Sequence, residues 1–224
     1  LTGVKIELEE SRVTFAAADG FRLAVQTATL ESPMSEPTDF IIPARALREL
    51  ERLLVDQEEP VELTITPQRS QVLFKLNNIE LVSQLVQGTF PNYQQLIPQT
   101  TGTRTVVSLQ EFNRASRTAA IFARDGSGIV RLQVTPGTNE GAGKMVVSAR
   151  AEELGDNTGE IDVSIEGEEA KIAFSSRYLS DVLGVMPGNE VAMEITTPSS
   201  PGVFRPLANG DGPDEAPGDS YIHV

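Results

Sequence analysis

The sequence predicts an α+β protein built from two copies of one strand-rich domain. Internal repetition is the first reason. Phe21-Arg22-Leu23-Ala24-Val25 returns as Val130-Arg131-Leu132-Gln133-Val134. Ile42-Pro43-Ala44-Arg45-Ala46-Leu47 with Leu50 returns as Phe174-Ser175-Ser176-Arg177-Tyr178-Leu179 with Val182. Val61-Glu62-Leu63-Thr64-Ile65-Thr66 returns as Val191-Ala192-Met193-Glu194-Ile195-Thr196. Measured at Arg22, Arg45 and Val61, the offsets are 109, 132 and 130 residues. Solenoid units run roughly 20–50 residues, so the period fits a duplicated domain, with loop insertions in the second copy. The other two reasons are the many short alternating runs and the small number of helical ones.

Taken in order, residues 4–9 and 12–16 alternate with period two, as half-buried strands do, and 22–30 continues the pattern. A helix is expected over 43–55, with Pro43 at its first position. Strands follow at 61–66, 72–76 and 79–85, the last two joined by a tight Asn77-Asn78 turn. A short turn is expected at 91–96, and 98–103 has the chemistry of a linker, placing one domain at 1–98 and the other at 99–224. The second copy opens with a helix over 109–123, capped by Ser108. Strands at 128–134, 145–149, 161–165 and 170–174 follow, then a helix over 176–186 capped by Ser175 or Ser176 and stopped by Pro187-Gly188. The last strand of this set is 191–196, and 221–224 is strand-like. Segments 136–143 and 206–219 read as Gly- and Pro-rich exposed loops. The first copy lacks a counterpart of the 109–123 helix, and the second stops at Val224 in the middle of the strand corresponding to the 72–85 pair, so the chain is expected to start inside one unit and stop inside another.

Composition narrows the function classes. The absence of Cys excludes disulfides, thiolate nucleophiles and Cys-ligated zinc, and it fits a cytoplasmic protein. No apolar run approaches the roughly 18 residues of a membrane span. A net charge of −14 argues against nucleic acid until the distribution of the 18 Lys and Arg is considered.

That distribution is uneven. A helix turns about 100° per residue, so Arg45, Arg48 and Arg52 fall within about 60° of one another, opposite Leu47, Leu50 and Leu54. Arg114, Arg117 and Arg124 cluster within about 80°, away from Phe112, Ala115 and Ala119. A solvated helix face explains one such stripe. Two arginine-only stripes in an acidic protein set loose, sequence-independent contact with phosphates on an equal footing with that reading. Glu49, Glu51 and Glu111 dilute the charge, and the third helix offers only Arg177, one turn from Asp181.

No catalytic constellation stands out. His223 has no Ser, Cys or metal-ligand partner nearby in sequence and reads as structural. Gly126-Ser127-Gly128 and Gly210-Asp211-Gly212 precede no helix and carry no Lys-Ser/Thr, so they read as loops. The pairs Glu9-Glu10, Glu58-Glu59, Glu152-Glu153 and Glu168-Glu169 sit in polar turns. No cofactor or metal site is expected, and the chain reads as a non-enzyme.

Several strings are similar to a known family. Ala17-Ala18-Asp19-Gly20-Phe21-Arg22-Leu23-Ala24 resembles the ATDGHRLA signature of the bacterial DNA polymerase III beta subunits, the sliding clamps. Gly88-Thr89-Phe90-Pro91-Asn92-Tyr93 with Leu96-Ile97-Pro98 resembles that family's G-x-FPDY…LP segment. Arg177-Tyr178-Leu179 with Asp181-Val182-Leu183, and Thr197-Pro198-Ser199-Ser200-Pro201, resemble later family motifs, and Tyr221-Ile222-His223-Val224 resembles the approach to its C-terminal MPM strand. The resemblance covers nearly the whole chain, in order.

It implies tandem copies of the DNA-clamp fold, with antiparallel sheets outside and helices lining a channel, this chain holding most of the middle domain and nearly all of the third. It implies a homodimeric ring around duplex DNA and no membrane. The implied partners are the replicative DNA polymerase III alpha subunit, the clamp loader, and repair polymerases, ligase and mismatch-repair proteins, which dock short peptides in a cleft between the domains. The cleft positions carried over are Leu1, Ala18, Phe21, Arg22, Leu23, Pro91, Gln95, Leu96, Ser199, Pro201 and Val224. Three depart from the family pattern: Ala18 stands for Thr, Phe21 for His and Gln95 for a frequent Arg. DNA would face Arg45, Arg48, Arg52, Arg114, Arg117 and Arg124. The rival class is a cytoplasmic β-rich two-domain scaffold or adhesion protein without DNA contact.

Overall fold

The structure is a computed structural model that describes residues 2–137, 142–153, 155–207 and 220–224. Leu1, the centre of the loop expected at 136–143 and the segment 208–219, with Gly210-Asp211-Gly212, lie outside the described residues. The chain divides into two compact units, one running to Gln94 and taking in Ser220, the other running from Gln95 and taking in Tyr221–Val224.

In the first unit, β1 (Gly3–Glu9), β2 (Arg12–Ala18), β3 (Leu23–Thr29) and β4 (Thr38–Pro43) form antiparallel pairs in the order β3-β2-β1-β4. The alternation read in 4–9 is the pleat itself. Ile6 and Leu8 are buried with Val13, Phe40 and Ile42, while Lys5 and Glu7 point to the other face. Helix α1 (Ala44–Leu53) follows, then the three-stranded sheet β5-β6-β7 (Glu62–Ile65, Gln71–Lys75, Glu80–Gln84). Val72, Phe74, Leu76 and Leu85 complete the same core, so the two sheets share one apolar interior. The Asn77-Asn78 turn is confirmed: the Leu76 amide donates to the Ile79 carbonyl at 2.9 Å across it.

The second unit contains β8 (Thr103–Ser108), α2 (Leu109–Arg124), β9 (Ile129–Thr135), β10 (Gly143–Ala151), β11 (Gly155–Gly167) and β12 (Ala170–Ser175). Helix α3 (Ser176–Val185) and β13 (Glu190–Ile195), β14 (Val203–Leu207) and β15 (Tyr221–His223) complete it. Its strand order is β12-β9-β10-β11-β8-β13-β14-β15. Phe112, Ala119 and Ala123 of α2 and Leu179, Val182 and Leu183 of α3 pack into one core with Leu132, Val134, Met145 and Met193 of the strands.

Pairing corrects one repeat match. The repeat aligns Arg22-Leu23 with Arg131-Leu132, yet β9 lies between β10 and β12 as β1 lies between β2 and β4. Ile42 faces Val4 across β1 and β4, and Phe174 faces Val130 across β9 and β12. The true counterpart of Val130 is therefore Val4, at an offset of 126 residues, which brings this match close to the other two. The mismatch has a physical source. An Arg flanked by apolar residues at period two fits any half-buried strand, and the pattern carries no information about strand order.

Three strands have no sequence signal of the usual kind. In β4, Phe40, Ile41 and Ile42 are all buried, so no alternation shows. In β8, the buried Thr103 and Thr105 disguise a strand as linker. In β14, Pro206 masks strand character.

Candidate nucleic-acid and peptide interfaces

Helix α1 starts after Pro43, which sits in an extended conformation as the N-cap (φ −56°, ψ 131°) rather than at the first helical position. It ends two residues early, at Leu53, because Leu54 already serves as the C-cap; Leu54 thus lies outside the expected stripe. Arg45, Arg48 and Arg52 are all exposed, and Leu47 and Leu50 on the opposite side are half-buried. Helix α2 is better terminated. Ser108 Oγ accepts from the Glu111 amide at 3.4 Å, and Glu111 and Arg124 lie at the ends that suit the helix dipole. Arg114, Arg117 and Arg124 are exposed, Phe112 and Ala119 are fully buried, and Ala115 is half-buried.

Not all six guanidiniums are equally available. Arg52 Nη1 lies 3.2 Å from Glu49 Oε1, and Arg124 Nε lies 3.5 Å from Asp125 Oδ1. Arg45, Arg48, Arg114 and Arg117 have no ion pair among the described residues. Lys144 lines a groove with Glu111, Arg114 and Thr118, but it is held by Asp162. That hydrogen bond and the Asp162 charge push its pKa up.

The positions assigned to peptide contact fall in both units. In the first, Asp19 to Arg22 form the turn between β2 and β3, with Ala18 opposite Leu23. Asp19 Oδ1 accepts from the amides of Phe21 (3.1 Å) and Arg22 (3.2 Å), and Oδ2 accepts from Arg22 Nε at 2.9 Å. Gly20 takes φ +89°, a conformation that strongly favours glycine. Burial alone raises the Asp19 pKa, but these hydrogen bonds and the Arg22 charge outweigh it and hold the carboxyl below its ordinary value. The signature string is thus a self-locking hairpin. Phe21 stands 82% exposed at its tip, Arg22 is partly covered, and Leu23 is only 2% exposed.

A second string supplies Pro91, Gln95 and Leu96. Phe90 and Tyr93 are buried with their rings edge to face at 6.3 Å, leaving Pro91 exposed between them. A 3₁₀ turn, Tyr93–Leu96, follows, with Gln95 exposed and Leu96 50% exposed. The Tyr93 hydroxyl donates to Glu7 on β1. In the second unit, Ser199 and Pro201 are exposed, and Ser199 lies in a turn closed by the Ser200 amide on the Thr197 carbonyl at 3.1 Å. Val224 is half-buried.

His223 is buried, with Nδ1 3.1 Å from the Tyr221 hydroxyl. Gly126 sits where a Cβ would come within 2.2 Å of the Arg150 carbonyl, so this glycine serves close packing. The four Glu-Glu pairs are exposed. Among the described residues there is no group of three His, Asp or Glu that could hold a metal ion, and no helix is long and apolar enough to cross a membrane.

Residues 1–92 match the model of the DNA polymerase III beta subunit central domain, and residues 94–212 match that of its C-terminal domain. The Beta sliding clamp of Bacillus subtilis is 35% identical over 207 residues, covering 92% of this chain and 53% of the relative. That of Staphylococcus aureus is 31% identical over 208 residues, with the same coverage. The crystal structure of the Bacillus subtilis DNA polymerase sliding clamp superposes with a TM-score of 0.86 at 32% identity, covering 99% of this chain and 55% of that one. The beta subunit of Thermotoga maritima gives 0.83 at 28% identity, covering 99% and 56%. The chain spans about half the length of the curated relatives it matches. With two domain models matched in order and the fold shared across nearly all its residues, the chain belongs to the bacterial DNA polymerase III beta subunit family, the beta sliding clamps.

Proposed function

We propose that this protein works as a DNA sliding clamp, a processivity factor that encircles duplex DNA without reading its sequence and performs no chemistry of its own. Copies close head-to-tail into a ring in the cytoplasm. The ring tethers the DNA polymerase III alpha subunit and, in turn, the clamp loader, repair polymerases, ligase and mismatch-repair proteins through short peptides. The support is the pair of arginine stripes. Four guanidiniums have no ion pair among the described residues, and they stand on two helices that each turn an apolar side inward, in a chain of net charge −14. Concentrating cations on helix faces of an acidic protein is what loose phosphate contact requires.

Salt titration of binding to a fluorescent duplex tests this. Arg45→Ala with Arg48→Ala, and Arg114→Ala with Arg117→Ala, should each flatten the slope of log K against log salt by about 0.9 for every phosphate no longer neutralised. An unchanged slope in both pairs overturns the DNA face. Topological holding predicts the opposite salt response: loaded rings should stay on closed circles at salt that abolishes free binding and leave linear DNA with open ends. Equal loss from both overturns encirclement. For peptide docking, Leu96→Glu is the cleaner probe, because Leu96 is half exposed whereas a charge at the buried Leu23 attacks packing. Leu96→Glu should abolish binding of a labelled peptide with a large apolar end and leave dimerisation intact.

A further inference from the structure

The segment carrying Pro91 is tied at both ends to the β3-β2-β1-β4 sheet. The Val86 amide donates to the Ile41 carbonyl of β4 at 2.8 Å, and the Tyr93 hydroxyl donates to Glu7 of β1. Glu7 is itself half-buried, with Lys5 Nζ 2.7 Å from its other carboxylate oxygen, and Lys5 reaches Asp39 on β4 at 3.6 Å. Between the two ties, Gly88 takes φ +136° and Phe90 packs against Tyr93.

We infer that Tyr93, backed by Glu7 and Lys5, is a positioning residue for peptide binding, locking the Phe90–Leu96 turn so that Pro91, Gln95 and Leu96 are presented in one conformation. This role rests on the docking surface of the proposed function. A half-buried carboxylate without donors would be costly; here two donors from different elements satisfy it, and the bond spans 86 residues of sequence. Burial, and then the Glu7 hydrogen bond and charge, keep the Tyr93 hydroxyl protonated well past its ordinary range, so the donor persists at working pH. A turn without this anchor would have to be ordered by each arriving peptide, and affinity would fall by that ordering cost.

The test uses the whole chain, a fluorescein-labelled pentapeptide ending in Leu-Phe, and amide hydrogen exchange. Tyr93→Phe keeps the ring and removes the donor. It should weaken the peptide by about tenfold and speed exchange at residues 88–96 more than in the rest of the first unit. Glu7→Gln retains an acceptor oxygen and should bind within about twofold of the parent, whereas Glu7→Ala should match Tyr93→Phe, and the double variant should be no worse than either single one. Parental affinity and exchange in Tyr93→Phe, with the parent binding normally, overturn the positioning role alone. Failure of the parent to bind the peptide overturns the docking surface and this inference with it.

Discussion

Helices α1 and α2 carry the same pattern, an arginine stripe opposite an apolar one, yet they are embedded very differently. In α2, Phe112, Ala119 and Ala123 are inaccessible to solvent and Ser108 caps the N-terminus. In α1, only Ala46 is buried, Leu47, Leu50 and Leu53 are half-covered, and Pro43 supplies no capping side chain. The first unit also carries polar fastenings, Asp19 with Arg22 and Glu7 with Lys5 and Tyr93. Amphipathic pattern therefore tells which side of a helix faces the protein, not how firmly it is held.

The largest test of that contrast is core truncation. Phe112→Ala should cost about 3–5 kcal/mol and Leu50→Ala only about 1–2 kcal/mol in urea unfolding, because Leu50 has less buried surface to give up. Equal costs would mean α1 is buried as deeply as α2. Next in size is the cap. Ser108→Ala should cost about 1 kcal/mol, while Pro43→Ala, which removes no capping hydrogen bond, should be measurably milder by the same unfolding assay.

The smallest effect sharpens the contrast through pH. Among the described residues the carboxyls held below their ordinary values, Glu7 (from 4.5) and Asp19 (from 3.8), both belong to the first unit. For Glu7, burial pushes upward and the Lys5 and Tyr93 hydrogen bonds overcome it. A depressed folded pKa contributes stability that is present above the ordinary value and is lost as pH falls through it towards the folded one. Hydrogen exchange followed from pH 6 downward should therefore show first-unit amides losing protection before those of the second. Asp19→Asn together with Glu7→Gln should remove most of that difference.

The features legible in the sequence are those set by a short string. Period-two alternation marks β1, β2 and β6, Ser108 announces α2, and the Asp19-Gly20 turn closes on itself through bonds no more than three residues long. The arginine stripes are legible for the same reason, since helical geometry alone places Arg45 beside Arg48. The family resemblance supplies the clamp fold and the peptide positions, which no period could have shown.

What the strings could not carry is anything that depends on which strand neighbours which. The counterpart of β9 is β1, not β3, because strand order is decided by pairing across the sheet, to which an alternating pattern is indifferent. Strand β8 is recognised only in the packed sheet, where it pairs with β11 and β13 and its threonines Thr103 and Thr105 are buried. Leu23, expected at a peptide surface, is buried, while Glu7 and Tyr93, unremarkable 86 residues apart, meet in a hydrogen bond. Burial and long-range polar partnership are properties of the packed chain, because each is fixed by atoms that sequence distance does not bring together.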